Sequence, residues 1–454
     1  MKKVDVLFLY ETRVRELENI CLLKYELERR GYTVAVLNTW NELGKKSRPK
    51  YDAKVVVTHA MYHDGIYQFV QSIVGKVPKV VNLQWEQIGT VGEKESGNSR
   101  YVLKGVAAQC MNICWGDETV ARLIEKSGID PHYLRKTGSI TLDFCRPQLR
   151  KYYLSREGLF AQYGLPADKQ INLFISSFAY VNLPPEILAE SDTSNKNEFI
   201  HLSNESFHKV LTWFDQMLTE TEDQVLVYRP HPAEAENPVL LAMCERHPDR
   251  FFVIREQSVK QWIATCDQVY TWYSTAAAEV RAFGVPLAIL RPHPLPRHRE
   301  VEVFEGATLI TDYGTFLRSV QEGVSDGLCS EVFDRYYSIE ERMSYLRVAD
   351  AIEEVLLDDT YLIRYTECAH PKDTVAIKIK KALRAVVTLA ADVLPEGICL
   401  LQKYRTPAPS DYTRQLQASN YASDQEVETI QATLTALLTD YDKRTGDPIA
   451  KATI

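Results

Sequence analysis

The stretch VLVYRPHP, residues 225–232, decides the fold. It begins as a short apolar run typical of a buried strand and then changes abruptly to Arg229, His231 and two prolines. In an open α/β sheet, ligands bind beyond the carboxyl ends of the strands. Arg229 and His231 are therefore predicted to bind an anion, because both side chains donate hydrogen bonds to phosphate oxygens. A rigid strand exit with a core histidine is the alternative that the stretch leaves open.

A second stretch, QVYTWYSTAAAEVRAFGVPLAIL (residues 268–290), predicts a strand, a helix from Thr275 to Phe283 and another strand. Ser274 and Thr275 stand at the helix start, where free backbone N–H groups and the helix dipole favour an anion. Serine and threonine also occur there routinely as plain helix caps, and such caps are commoner than phosphate sites. Glu279, one turn later, is expected to accept hydrogen bonds from ribose hydroxyls, unless it only pairs with a neighbouring arginine or with solvent.

The same alternation of strand and helix fills most of the chain. Near-continuous β-branched runs separated by helical patterns indicate parallel sheets that are covered on both faces. The first third contains the runs VDVLFLY, YTVAVLN, AKVVVTH, PKVVNLQW, MNICWG and LRKTGSI. We therefore predict the α/β class with two Rossmann-like domains, residues 1–150 and 165–337, facing each other across a cleft. A helical C-terminal extension is predicted over residues 338–454.

Composition argues against several classes of function. A net charge of −8 without a long block of like charge argues against nucleic acid as a partner. No apolar run approaches ~18 residues, and the short one near the N-terminus is interrupted by Asp5. Nine scattered cysteines indicate reduced thiols, and Cys110 and Cys114 lack the second ligand pair of a zinc site. We expect a cytoplasmic protein without a metal; a basic helix around residues 378–384 leaves peripheral membrane association open.

The order of these motifs resembles a known family. A strand ending in His-Pro, a later strand followed by Ser-Thr, a glutamate one turn on and then Gly-x-Pro are similar to bacterial surface-polysaccharide glycosyltransferases of the GT-B fold, over roughly residues 171–290. The likeness is strongest to the capsule-synthesis group, which includes Kdo transferases; sialyl- and CDP-glycerol transferases are more distant. It implies that the second domain binds the donor nucleotide, with His231, Ser274 and Thr275 on its phosphates and Glu279 as a further contact.

In that family the first domain binds the acceptor and supplies an acid or a base. Glu86, in NLQWEQIGT, directly follows a predicted strand and is the preferred base, because partial desolvation beside Trp85 would raise its carboxyl pKa. An ion pair of Glu86 with Arg13 or Arg100 is the structural alternative. His59, in THAMYHDG, is the second catalytic candidate.

The last predicted strand of the first domain ends in Gly138 and Ser139. These residues resemble the glycine-containing turn by which such folds approach the donor. Asp143, shortly after, is expected either to contact substrate or to cap the next short helix.

The predicted function is a metal-independent glycosyltransferase whose co-substrate is a nucleotide-sugar, with CMP- and UDP-linked donors as candidates and no other cofactor. The acceptor is expected to be a cell-surface polysaccharide or a lipid-linked glycan. Two alternatives stay open. One is a CDP-polyol phosphotransferase, in which the same site holds the pyrophosphate. The other is a non-catalytic scaffold that binds nucleotide-sugar but lacks the base. The pattern does not distinguish inversion from retention.

Overall fold

A computed structural model describes residues 1–39, 50–96, 102–181, 194–324, 328–363 and 417–445. The described chain contains two parallel sheets of six strands each, with helices packed on them. The predicted α/β class with two Rossmann-like units is confirmed, and a helical C-terminal segment follows them. The predicted basic helix around residues 378–384 lies outside the described residues.

The first sheet lies in the first third of the chain. Its strands are β1 (Lys2–Tyr10), β2 (Val34–Asn38), β3 (Tyr51–Thr58), β4 (Val80–Asn82), β5 (Met111–Cys114) and β6 (Leu134–Lys136). They pair in parallel in the order β2-β1-β3-β4-β5-β6. In the register of β1, Val6 pairs with Val34 on one side and with Val55 on the other, so β1 is an interior strand. The sheet order reverses between β1 and β3, which is where such folds open a ligand crevice.

The described helices of this part of the chain are α1 (Arg13–Arg29), α2 (Asp64–Val74), α3 (Val91–Ser96), α4 (Asp117–Ser127) and α5 (Ile140–Asp143). The longest of them, α1, buries Leu17, Ile20 and Leu27 at helical spacing. It begins just after β1, so its first turn lies at the carboxyl edge of the sheet.

Two short helices, α6 (Pro147–Arg150) and α7 (Arg156–Tyr163), lead to the second sheet. Its strands are β7 (Gln170–Ile175), β8 (Gln224–Arg229), β9 (Phe251–Val253), β10 (Gln268–Thr271), β11 (Leu287–Leu290) and β12 (Thr308–Ile310). They are parallel in the order β12-β11-β10-β7-β8-β9. The order reverses between β7 and β10, so the strand carrying Ser-Thr and the strand carrying Arg-Pro-His-Pro both flank β7.

Within the described ranges, the helices of the second domain are α8 (Ser194–Glu220), α9 (Pro238–Arg246), α10 (Val259–Ile263), α11 (Ala277–Phe283) and α12 (Tyr313–Glu322). The helix predicted to begin at Thr275 begins two residues later, because residues 275 and 276 form a turn. Gly284, at φ 72°, ends α11 in the left-handed conformation that glycine adopts without steric cost.

The last helices return to the first domain. They are α13 (Ser330–Tyr336), α14 (Ser344–Leu357) and α15 (Asp424–Thr445). The helix α14 packs on α1 and on the first sheet, and α15 packs along α1. Just before α15, the backbone N–H of Ala422 donates to the Tyr10 hydroxyl at 3.0 Å. The two domains are therefore joined by returning helices as well as by the α6–α7 connection. The predicted domain boundaries themselves stay a prediction.

Candidate functional site

His231 stands just beyond β8, and its ring is held by the turn that follows. The Nδ1 atom accepts the backbone N–H of Ala233 at 3.1 Å, so the proton of the neutral ring lies on Nε2. Burial, and secondarily the Arg15 guanidinium, lower the pKa of His231 to about 4, while the Glu86 carboxylate opposes that shift. The imidazole is therefore neutral near pH 7 and offers an Nε2–H donor that bonds to none of the described residues.

Arg229, at the end of the same strand, is buried. Its guanidinium donates to the backbone carbonyls of Ile254, at 3.0 Å, and of Glu256, at 2.7 Å, and also to that of Gln257. Gln257 has φ 64°, a conformation that is uncommon outside glycine. In this structure Arg229 stabilises the loop between β9 and α10. Its predicted role on donor phosphates stays a prediction.

The hydroxyls of Ser274 and Thr275 have different surroundings. The Ser274 Oγ accepts the backbone N–H of Ala276 at 3.3 Å, and the Ser274 N–H donates to the Thr271 hydroxyl at 3.1 Å. Ser274 thus closes the turn before α11 but does not cap the helix, because the N-cap residue is Ala276 and no side chain bonds there. Thr275 is exposed, and its hydroxyl bonds to no described residue. Of the two, Thr275 is the hydroxyl that a ligand can reach without breaking an existing hydrogen bond.

Glu279 lies one turn further along α11 and is half-buried. Burial raises the pKa of its carboxyl, and the nearby Lys260 ammonium partly offsets this. Arg281, the neighbour offered as an alternative partner, donates instead to the Leu328 carbonyl at 3.0 Å and the Ser330 hydroxyl at 2.7 Å. Glu279 therefore faces a buried cation of the second domain.

That cation also reaches the first domain. Lys260, on α10, is 2% exposed and lies 3.1 Å from the Glu18 carboxylate of α1. It also donates to the Asn19 side chain at 3.3 Å and stands over the Phe144 ring at 4.6 Å from its centre. Lys260 is thus a fully buried contact between the two domains.

Glu86 lies four residues after β4, in a segment with an unusual backbone. Gln84 has φ 47°, and Trp85 is buried in the core, so its indole gives a sugar no open face. The Glu86 carboxylate accepts a hydrogen bond from the Arg15 guanidinium at 2.9 Å and its side chain is 42% exposed. Among the described residues Glu86 pairs with Arg15, whereas Arg13 pairs with Glu426. Arg100, the other predicted partner of Glu86, lies outside the described residues.

Arg15 was not predicted as a site residue. It lies in the first turn of α1, where it binds both Glu86 and the fully buried Glu16, at 2.8 Å. The charges of Arg15 and Glu86 both act on the pKa of His231, so these two first-domain side chains lie within electrostatic reach of the second-domain histidine. The available signal was the carboxyl-edge rule, since Arg15 closely follows β1.

His59 lies beside the reversal point of the first sheet, directly after β3. Its Nε2 is 3.6 Å from the Glu11 carboxylate, and its side chain is 14% exposed. Its Nδ1 is buried and has no hydrogen-bond partner within the described chain. His63, four residues on, caps α2 by accepting the Gly65 N–H at 3.1 Å. The two histidines thus have separate environments.

Gly138, Ser139 and Asp143 adjoin the returning helix α14. A Cβ on Gly138, at φ 77°, would overlap the Ser338 carbonyl oxygen, so packing alone accounts for a glycine here. The buried Asp143 carboxylate accepts the N–H groups of Ser344 at 3.0 Å and Tyr345 at 2.7 Å. It therefore caps α14, a helix two hundred residues away, rather than the next helix. Ser139 is 3% exposed, and the donor-binding role of this turn stays a prediction.

The described residues offer neither a metal site nor a membrane span. They contain no group of three or more His, Cys, Asp or Glu side chains placed to hold a metal ion. They also contain no helix with the length and apolarity needed to cross a membrane.

Comparison with known proteins gives similarity at the level of the fold. No protein-family model and no curated protein matches the chain. A variant of the wall teichoic acid polymerase TagF is 11% identical, with 78% of this chain and 89% of that chain covered and a TM-score of 0.51. UDP-bound MnaA from S. aureus is 15% identical, with 79% of this chain and 97% of that chain covered and a TM-score of 0.48. A UDP-N-acetylglucosamine 2-epimerase is 16% identical, with 79% of this chain and 96% of that chain covered and a TM-score of 0.47.

At such identities the likeness concerns the backbone alone, and the TagF variant carries it. Together with two parallel six-stranded sheets, it supports a two-domain GT-B-like architecture for this chain.

Proposed function

We propose that this protein is a glycosyltransferase that binds a nucleotide-activated sugar on its second domain and transfers the sugar to a glycan or lipid-linked acceptor on its first domain. The observation that supports the proposal is that Glu86 and Arg15 of the first domain pair with each other and lie near enough to His231 of the second domain for their charges to act on its pKa. Each side chain follows a parallel strand of a different domain. The carboxyl edges of two Rossmann-like sheets are where donor and acceptor would meet.

In this mechanism the acceptor hydroxyl loses its proton to the Glu86 carboxylate as its oxygen attacks the anomeric carbon of the donor. The bond between that carbon and the phosphate oxygen breaks, and the electron pair leaves with the nucleotide. The neutral His231 donates its Nε2–H to the departing phosphate. Arg15, whose side chain is 39% exposed, adds a positive charge beside Glu86. Such groups act by stabilising charge that develops in the transition state.

The second-domain helix start supplies the remaining donor contacts in this proposal. The exposed Thr275 hydroxyl is available to a phosphate oxygen, and Glu279 would accept ribose hydroxyls. Neutralisation by hydrogen-bond donors and side-chain cations is why we propose that the reaction needs no metal. Donors linked to CMP or UDP are the first candidates, and a cytoplasmic location with peripheral membrane contact belongs to the same proposal.

The test is a donor screen by thermal shift with CMP, CDP, UDP and GDP compounds. A ligand at a hundred times its dissociation constant should add about 2.7 kcal/mol to the free energy of unfolding. His231→Ala should weaken nucleotide binding by ~1–3 kcal/mol and reduce that gain accordingly, whereas His208→Ala, at an exposed position on α8, should retain it in full. An undiminished gain in His231→Ala, or no gain from any nucleotide, would contradict the proposal. Release of free nucleotide only when acceptor glycan is present then separates a transferase from a binding scaffold.

A further inference from the structure

The turn that begins with His231 contains a buried carboxylate, that of Glu234. Glu234 is 5% exposed. Its Oε2 accepts the Ser176 hydroxyl at 2.5 Å and the backbone N–H of His231 at 3.1 Å. Its Oε1 accepts the Tyr228 hydroxyl at 2.7 Å. All three donors therefore converge on one side chain that the proposed chemistry does not use.

These three hydrogen-bond donors lie on separate segments near the carboxyl edge of the second sheet. Ser176 directly follows β7, Tyr228 lies on β8, and His231 begins the turn. The turn is also closed in the reverse direction, because the Glu234 N–H donates to the His231 carbonyl at 2.8 Å. Burying a carboxylate is unfavourable unless hydrogen bonds compensate for lost hydration, and here they do. The carboxylate thus ties the ends of two neighbouring strands to the backbone of His231.

We infer that Glu234 is a positioning residue, which holds the His231 backbone so that the ring presents Nε2–H to the donor phosphate. The inference rests on the proposed function of His231. The geometry shows how the effect is transmitted: Glu234 fixes the N–H of His231, and the same turn directs the Ala233 N–H onto the ring Nδ1. Without the carboxylate, the turn loses its hydrogen bonds to Ser176 after β7 and to Tyr228 on β8, and the ring loses its fixed orientation.

A first experiment needs no nucleotide. In protein labelled with ¹³C at histidine Cε1, the ring signal of His231 is identified among ten histidines by its loss in His231→Ala. Glu234→Ala should shift or broaden that signal, and the isosteric Glu234→Gln should largely preserve it. Glu236→Ala, an exposed glutamate two residues on, is the matched control and should change nothing. An unchanged His231 signal in Glu234→Ala overturns the inference.

If Glu234→Ala does not fold, the double variant Ser176→Ala/Tyr228→Phe removes two of the three donors and leaves the carboxylate in place. It should also shift the His231 ring signal. A wild-type signal in this variant counts against the inference in the same way.

A second experiment is a double-mutant cycle on affinity for UDP and CDP, measured by titration calorimetry. Glu234→Ala should weaken binding about tenfold, Glu234→Gln should restore most of it, and Glu234→Ala should cost nothing further in the His231→Ala background. Losses that multiply in the double variant, or wild-type affinity in a folded Glu234→Ala protein, overturn the inference alone. If neither nucleotide binds the wild type, or His231→Ala binds normally, the proposed function fails and the ring signal decides the role of Glu234.

Discussion

Replacing Glu86 by glutamine should lower kcat strongly and the free energy of unfolding only slightly, so the variant distinguishes a catalytic role of Glu86 from a structural one. The carboxylate pairs with Arg15 at 2.9 Å, and the two side chains are 42% and 39% exposed. A pair this accessible to water contributes about 0–1 kcal/mol to folding. Glutamine keeps an oxygen for Arg15, which also stays bound to the buried Glu16. The free energy of unfolding should therefore fall by less than about 1 kcal/mol.

The effect on turnover should be much larger if Glu86 is the base. Losing a general base lowers kcat by roughly 10²–10⁴, which corresponds to about 2.7–5.5 kcal/mol of activation free energy. Donor affinity should barely change, since the donor contacts in the proposal lie in the other domain. The assay is steady-state kinetics with a donor from the nucleotide screen, with thermal unfolding followed on the same preparation.

A matched variant shows what the loss of a comparable ion pair does by itself. Glu28→Gln, on α1, breaks a pair with Lys24 at 2.6 Å whose side chains are 38% and 18% exposed. It should match Glu86→Gln in stability and leave kcat unchanged. Near-normal kcat in Glu86→Gln would refute the assignment and transfer the role of base to His59. Loss of donor binding together with loss of folding would identify Glu86 as a structural ion-pair residue.

The double variant Ser274→Ala/Thr275→Ala should weaken nucleotide binding by ~1–3 kcal/mol in titration calorimetry, and unchanged affinity in a folded variant would rule out both hydroxyls. Activity should persist in excess EDTA; loss that magnesium or manganese restores would contradict metal independence. Burial raises the pKa of Asp143 from 3.8 to about 6, so the folded protein favours the protonated carboxyl. The resulting stabilisation is fully present below pH 3.8 and is lost as the pH rises through about 6. Asp143→Asn should remove that decline, about 3 kcal/mol in denaturant unfolding, and an equal decline in both proteins would contradict it. Gly138→Ala should lower the melting temperature far more than Gly164→Ala, at φ 68° with open space around it, and equal effects would exclude the packing argument.

Much of the fold could be predicted because the residues within and next to each strand indicate where that strand begins and ends. Runs such as those of β1, β8 and β10 are apolar on both faces, since parallel strands are covered on both sides, and polar residues mark where each one ends. The position of His231 at the carboxyl end of β8 follows from the same pattern. The helix start near Ser274 was predicted within two residues, which is the usual uncertainty of helix ends.

The partners of the site residues could not be predicted in this way. Arg229 binds carbonyls more than twenty residues later in the chain, and Asp143 caps a helix two hundred residues away. Arg15 rather than Arg13 meets Glu86, because helical rotation within one turn of α1 decides which arginine faces the cleft. Glu234 carries no motif of its own, and its burial depends on β7 and β8 lying side by side.

By itself, the sequence determined the class of the fold and the strand ends at which a ligand would bind, because hydrophobic periodicity and strand termini are local properties of the chain. Only the tertiary structure decided which charged groups face that edge. It directed Arg229 into a loop, brought Arg15 and Glu86 of one domain to His231 of the other, and placed Glu234 beneath that histidine. Side-chain direction and pairing depend on contacts between distant segments, and no local pattern records those contacts.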